Sequence, residues 1–116
     1  MGMTCKKKII REVDGKQVVN IISAISDDYI TKHKLNQQEV VLLHLLNFGY
    51  ITNKICSDAY GYENGESVIR YLKEDYGVTF DTIKKRGLNI VNRYKQKSNY
   101  VEYHITNPQI YREALL

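Results

Sequence analysis

Cysteine, proline and long apolar runs are all scarce in this chain of 116 residues. The two cysteines, Cys5 and Cys56, lie far apart and form no CxxC or other metal-binding spacing, so we expect reduced thiols. No apolar run approaches the roughly 20 residues that a membrane-spanning helix needs. Lys6, Lys7 and Lys8 precede only two apolar residues, which does not match a signal peptide. These absences predict a cytoplasmic protein with no membrane partner.

Motifs for catalysis or cofactor binding are also missing from the sequence. There is no GxxxxGK[ST] or GxGxxG phosphate loop, and the three histidines His33, His44 and His104 are scattered. Asp27 and Asp28 form an acidic pair, but the further carboxylates of a two-metal nuclease are lacking. We therefore predict that the protein is not an enzyme and that it takes no cofactor and no metal.

The composition, with 43% apolar and 26% charged residues, is that of an ordinary globular protein, and the length is that of one domain. The charged residues are distributed unevenly along the chain. Residues 1–35 carry seven Lys and Arg against four Asp and Glu. Residues 36–82 carry three against seven, and residues 83–116 carry seven against two. This segregation favours a polyanionic partner contacted by the two ends of the chain, the alternative being chance clustering on a solvated surface.

The first third of the chain predicts a β-hairpin. Two β-branched runs between Lys8 and Ile22 flank Asp14-Gly15, and Asp-Gly is the strongest short signal for a two-residue hairpin turn. The following segment, Ser26 to Leu35, is ambiguous and compatible with one helical turn capped by Ser26.

A first long helix is predicted next. Asn36 and Glu39 have the spacing of a capping box, and Gly49 ends the segment. His44 and Asn47 fall on its polar side, so we expect His44 to be exposed or lightly hydrogen-bonded. The apolar residues at helical spacing are Val41, Leu42, Leu45 and Phe48.

Two further helices follow a short extended piece at Tyr50-Ile51. Thr52 is a plausible N-cap for a helix over about 53–60, which we expect to bury Cys56 as a small apolar group. The next helix is predicted over Glu66 to Tyr76, and a glycine follows each helix as a C-cap. Its inner stripe comprises Val68, Ile69, Leu72 and Tyr76.

The period then changes to two, which predicts strands over 78–84, 89–94 and 100–105. Residues 95–99 are polar and basic, as is typical of a hairpin tip. In the last strand we expect Val101, Tyr103 and Ile105 to share one face. Pro108 follows Asn107 at the start of a short terminal helix.

The order of helix, short strand, helix, tight turn, helix and basic hairpin is that of a winged helix-turn-helix domain. The stretch from Leu35 to Asn107 resembles a winged helix-turn-helix family of small phage and prophage proteins of Gram-positive bacteria. The residues that carry this resemblance are Gly49–Thr52, Tyr60–Tyr62, Val68–Lys73, Tyr76-Gly77, Asn92–Lys95 and Tyr103–Ile105. The resemblance implies DNA binding in a regulatory or phage setting.

We accordingly predict an α+β fold: a winged helix-turn-helix with a three-helix core and a β-hairpin wing, plus an extra N-terminal β-hairpin. The expected divisions are residues 1–34 for the hairpin extension, 35–107 for the winged helix-turn-helix domain and 108–116 for the terminal helix. The N-terminal hairpin needs a covering surface. The sequence leaves open whether a second subunit, in a homodimer, or the C-terminal apolar residues supply it.

Ten residues are candidates for contact with double-stranded DNA. Arg70 can pair bidentately with guanine, and the six wing cations, which lie within fourteen residues, can neutralise phosphates. The third-helix candidates are Asn64, Ser67, Arg70 and Lys73, and the wing candidates are Lys84, Lys85, Arg86, Arg93, Lys95 and Lys97.

Acidic residues beside the third helix support a second hypothesis. The negative charges there repel phosphates; they belong to Glu63, Glu66, Glu74 and Asp75. The first hypothesis is a DNA-binding phage or mobile-element transcriptional regulator. The alternative is a winged-helix adaptor or inhibitor that binds a host protein or a nucleoprotein complex, for example in an anti-CRISPR role.

Overall fold

The computed structural model describes residues 2–91, 97–106 and 108–110, and within these ranges it describes the side chains except those of residues 11, 13, 85–91 and 97–99. The described chain is α+β, as predicted, with two antiparallel sheets. Its elements, in order, are β1 (Thr4–Val13), β2 (Lys16–Ile25), α1 (Asp27–His33), α2 (Gln37–Phe48), β3 (Tyr50–Ile51), α3 (Asn53–Tyr60), α4 (Gly65–Tyr76), β4 (Phe80–Val91) and β5 (Lys97–Ile105). Residues 108–110 are helical.

The N-terminal hairpin is confirmed and is longer than the sequence indicated. β1 and β2 pair antiparallel over ten residues each, with Val13 opposite Lys16. Asp14 and Gly15 both have positive φ, 52° and 74°, as a two-residue turn of type I′ requires.

The predicted boundaries of α2 and α3 are confirmed through their caps, and α4 begins one residue earlier than predicted, at Gly65. The Asn36 side chain accepts from the Glu39 backbone N–H while the Glu39 carboxylate accepts from the Asn36 N–H, which completes the capping box of α2. The hydroxyl of Thr52 caps α3 by accepting from the N–H of Ile55. The Ser26 hydroxyl caps α1 in the same way, and α1 is a seven-residue helix rather than a single turn.

The second sheet has the order β3-β5-β4. Its outer strands pair with the two sides of β5, so that Tyr50 lies opposite His104 and Phe80 opposite Ile105. The sheet thereby joins the short strand between α2 and α3 to the hairpin that follows α4.

The strand boundaries differ from the prediction. β4 is one strand over Phe80–Val91 rather than two segments, and β5 begins at Lys97 rather than at residue 100. Pairing with β5 continues β4 through residues that lack alternation, with a register shift between Arg86 and Val91. Val78 precedes the strand because its backbone N–H donates to the Leu72 carbonyl (3.1 Å) and closes α4.

The core lies between α2, α4 and the second sheet. Tyr76 was predicted to face this core, but its side chain is 49% exposed. The chain turns at Gly77, which has φ of 66°, and Val78 folds inward in its place. The buried cluster comprises Val41, Leu42, Leu45, Leu46, Ile51, Cys56, Val68, Ile69, Leu72, Val78 and Ile105.

α2 is buried along one continuous stretch, and this overturns the expectation for His44. Every residue from Val40 to Leu46 is buried, and His44 is 2% exposed. The reason is that the base of β2, where Ala24 and Ile25 are fully buried, covers the side of α2 that faces away from the main core.

Candidate nucleic-acid interface

The turn between α3 and α4 sets the position of α4. Gly61, with φ of 71°, ends α3, and the Tyr62 backbone N–H donates to the Cys56 carbonyl (3.0 Å). The Asn64 side chain then accepts from the Ser67 backbone N–H (3.4 Å) at the start of α4. Gly65 lies so close to α3 that a Cβ added there would be 3.0 Å from the Cys56 sulfur. The start of α4 therefore packs directly on the Asn53 and Cys56 side chains of α3.

Of the four helix candidates, two present a cation to solvent. Arg70 and Lys73 are both exposed and lie one helical turn apart on α4. The Arg70 guanidinium lies 5.6 Å from the centroid of the neighbouring Tyr71 ring. The Lys73 ammonium lies 5.9 Å from the Phe80 ring centroid, so it leans toward the start of β4.

The other two helix candidates have capping geometry. Asn64 is exposed, and its side-chain oxygen accepts the N–H that Ser67 donates. Ser67 is half-buried. The Asn64 oxygen is thus already engaged at the N-terminus of α4, and what it can offer a ligand is its amide nitrogen.

Among the wing candidates, Lys84 is described and exposed. It lies opposite Val101 and, by the two-residue period of a strand, shares the sheet face of Phe80. The backbones of Lys85, Arg86 and Lys97 lie in β4 and β5, but their side chains are outside the description. Arg93 and Lys95 lie outside the described residues.

Carboxylates flank the two cations of α4. Glu63, Glu74 and Asp75 are exposed. The Glu66 carboxylate accepts from the Asn53 side-chain amide (3.3 Å), which ties the start of α4 to α3. The exposed side of α4 therefore has a cationic centre between acidic ends.

Tyr103 lies between this surface and the core. Its ring packs against the buried cluster, which contains Ile105 of the same predicted strand face. Burial raises the pKa of the Tyr103 hydroxyl above its usual value, and the nearby Glu66 carboxylate raises it further. The residue is therefore a neutral packing group of the sheet.

A buried polar contact that sequence reasoning missed joins three elements. The Tyr60 hydroxyl lies 2.5 Å from His44 Nδ1 and accepts from the Ile25 backbone N–H (2.9 Å). In the neutral tautomer of His44 that carries its proton on Nε2, Nδ1 accepts the Tyr60 O–H while the same oxygen accepts the Ile25 N–H. Burial lowers the pKa of His44 from 6.5 to about 4 and raises the pKa of Tyr60.

Lys7 also has a role inside the protein. Its ammonium contacts the Asp27 carboxylate (2.6 Å) and donates to the Ala59 carbonyl (2.5 Å), close to the end of α3. It also lies 5.1 Å from the centroid of the Tyr60 ring. One of the N-terminal cations is thus engaged in holding the hairpin to α3. On the hairpin, Lys7 lies on the same face as Ala24, which is buried.

Comparisons of the chain with protein-family models, curated proteins and solved structures gave no match. Among the described residues, no three His, Cys, Asp or Glu side chains are grouped to hold a metal ion. In the same part of the chain no helix has the length and apolar character needed to cross a membrane.

Proposed function

We propose that residues 35–107 form a winged helix-turn-helix domain that binds double-stranded DNA. The sheet order β3-β5-β4 supports this proposal, because the strand between α2 and α3 pairs with the hairpin after α4, as the strands of a winged helix do. The single observation that carries the DNA-binding role is that Arg70 and Lys73 are exposed on α4 next to the start of that hairpin.

In this proposal α4 and the wing contact different parts of the DNA. The exposed side of α4 enters the major groove, where Arg70 reaches a base edge. Lys73 and Lys84, together with the remaining wing cations, contact phosphates on either side. Contacts to phosphate supply affinity and register, while Arg70 supplies the preference for sequence. A small protein with these properties fits the role of a phage or mobile-element transcriptional regulator.

Salt dependence tests the role of the wing. We expect the full chain to bind a random duplex, with an affinity that falls steeply between about 50 and 200 mM salt. Replacing Arg93, Lys95 and Lys97 by Gln should lower the slope of log K against log salt by about 2 to 3, because each lost phosphate contact releases about one counterion fewer. Fluorescence anisotropy with labelled duplex measures both quantities.

The matched control is a triple Gln variant of three exposed cations that are not among the proposed DNA contacts, Lys16, Lys32 and Lys34. It removes the same net charge and should leave most of the slope intact. Equal slopes for the two triple variants would contradict the role of the wing. Absence of binding by the unmodified chain at low salt would contradict DNA binding altogether.

The carboxylates on α4 favour a second candidate function, a protein-binding adaptor or inhibitor. A partner with a cationic surface would complement Glu74 and Asp75, whereas DNA would be repelled by them. The variant Glu74→Gln with Asp75→Asn separates the two functions in the same titration. Tighter duplex binding by this variant indicates that α4 faces DNA, and unchanged duplex binding indicates that α4 faces something else.

A further inference from the structure

The N-terminal hairpin packs on the body of the protein at its base, whereas every residue of β2 from Lys16 to Ile21 is exposed. Directly opposed residues of an antiparallel pair lie on the same face, so Lys8 and Ile21 share a face, and so do Ile10 and Val19. We call this the outer face; Lys6 and Glu12 of β1 belong to it as well. On the opposite face, Lys7 is held by the Ala59 carbonyl and Ala24 is buried.

The centre of the outer face is apolar and exposed. Ile10 is 56% exposed, Val19 is 46% exposed and Ile21 is 67% exposed. β-Branched residues on a strand stabilise it chiefly when a second layer packs on them, and a lone two-stranded hairpin is marginal in water. A second layer packed on this surface would therefore stabilise the hairpin.

The charges around the apolar centre have opposite signs at its two ends. Along β1 the outer face reads Lys6, Lys8, Ile10 and Glu12, so the residues two positions before and two positions after Ile10 are a cation and an anion. All four residues are exposed. Such a pattern is complementary to itself when the strand is reversed, because a two-fold axis at Ile10 places Lys8 beside Glu12 of a second copy.

We propose that the outer face binds the same face of a second copy of this chain, with the two hairpins antiparallel across a two-fold axis at Ile10. The packing brings Ile10 and Val19 against their counterparts and covers Ile21. At each end of this apolar contact, Lys8 of one copy pairs with Glu12 of the other. A symmetric dimer of this kind needs one self-complementary patch, and the outer face has that property.

The same pattern argues against nucleic acid as the occupant of this face. Glu12 lies on the outer face together with Lys8 and would repel phosphate. The three residues at the centre of the face offer apolar groups, not the hydrogen-bonding groups that read base edges. The inference is independent of the proposed DNA-binding role, since none of the outer-face residues belongs to that surface.

Sedimentation velocity on protein freed of nucleic acid tests the dimer. We expect the unmodified chain to pass from monomer to dimer as its concentration rises. Replacing Ile10 and Ile21 by Thr keeps the β propensity and should raise the dimer dissociation constant at least about tenfold through lost apolar burial. The control is Val18→Thr, a residue 39% exposed on the opposite face of the same hairpin, which should leave the constant unchanged.

A charge swap provides the sharper test. Lys8→Glu and Glu12→Lys should each weaken the dimer, and the double swap should restore it, because the pair forms between copies. Within one chain these residues are four positions apart on a strand, about 13 Å, so no intrachain pair can mimic the rescue. Thermal unfolding at low concentration establishes that each variant is folded.

Four outcomes would overturn the proposal. The first is a chain that stays monomeric at high concentration. The second is a dimer that persists when Ile10 and Ile21 are Thr, and the third is an equal loss in Val18→Thr. The fourth is a double swap that is no tighter than the single swaps. In a monomeric chain, loss of duplex binding in the Ile10 and Ile21 variant would assign the outer face to DNA instead.

Discussion

His44 shows how one residue can couple the stability of the protein to pH. Its imidazole is buried and hydrogen-bonded to the Tyr60 hydroxyl, so protonation would place a charge in the core. The same hydroxyl accepts from the Ile25 backbone N–H. The histidine thus links α2, α3 and the end of the N-terminal hairpin.

We expect the stability of the folded state to decline in mild acid because of His44. The pKa of His44 is lowered to about 4 in the folded protein, against 6.5 when unfolded, so between these pH values the unfolded chain takes up a proton that the folded chain does not. The stabilisation is complete above about pH 6.5 and falls toward pH 4, by about 3 kcal/mol in total. Urea unfolding at a series of pH values measures this loss.

The variant His44→Gln isolates the contribution of His44. It should be less stable at neutral pH, and its stability should change less between pH 6.5 and 4 than that of the unmodified chain. His33→Gln, at an exposed histidine, serves as the control and should retain the full dependence. Parallel pH profiles for the unmodified chain and His44→Gln would show that another group carries the effect.

At the scale of elements, the contact between α3 and α4 depends on a glycine. A Cβ at Gly65 would lie 3.0 Å from the Cys56 sulfur, 3.1 Å from the Cys56 Cβ and 2.8 Å from the Asn53 side-chain oxygen. Cys56 is 1% exposed and has little room to move. The close approach of the two helices therefore depends on the absence of a side chain at position 65.

We expect Gly65→Ala to destabilise the protein by about 1 to 2 kcal/mol, since overpacking outweighs the gain in helix propensity. Denaturant unfolding measures the change. In a Cys56→Ala background, which removes the Cys56 sulfur, Gly65→Ala should lower the free energy of unfolding by less. Glu74→Ala, at an exposed position of α4, is the control and should change stability by less than about 0.5 kcal/mol. A stabilising Gly65→Ala would contradict the close contact.

At the scale of the whole molecule, Lys7 connects the hairpin to the helices. Its ammonium reaches the Asp27 carboxylate and the Ala59 carbonyl, and its side chain is 16% exposed. Hydrogen bonds to charged groups in such partly buried positions contribute more than those at an open surface. Lys7 therefore stabilises the docking of β1 on α3.

We expect Lys7→Met to keep the packing of the aliphatic stem and to lose about 1 to 2 kcal/mol of stability through the missing charged hydrogen bonds. Hydrogen exchange should show faster opening of β1 and β2 than of α2 and α4. Lys6→Met, at the exposed neighbouring position, is the control and should have little effect on either measurement. Uniform loss of protection across the chain would show that the hairpin and the helices do not open separately.

The local features of the fold could be predicted because they depend on residues close in sequence. The Asp14-Gly15 turn, the capping box at Asn36 and Glu39 and the Thr52 cap each involve groups within three residues of one another. The burial of Cys56 followed in the same way from helical spacing. In the candidate site, helical spacing likewise predicted that Arg70 and Lys73 are exposed on the outer side of α4.

Other features could not be predicted because residues distant in sequence decide them. His44 sits on the polar side of an amphipathic pattern and is buried only because the base of the hairpin covers that side. Tyr76 fits the inner stripe of α4 but is exposed, because Val78 takes the core position after the turn at Gly77.

The sequence by itself therefore determined where α2 and α3 begin and end and where the first hairpin turns, since caps and turns are settled by neighbouring backbone and side-chain groups. The tertiary structure decided which polar groups are buried and where β4 and β5 begin and end. It did so because desolvation and strand pairing depend on elements that the chain brings together from far apart, such as Ile25 with Tyr60 and Phe80 with Ile105.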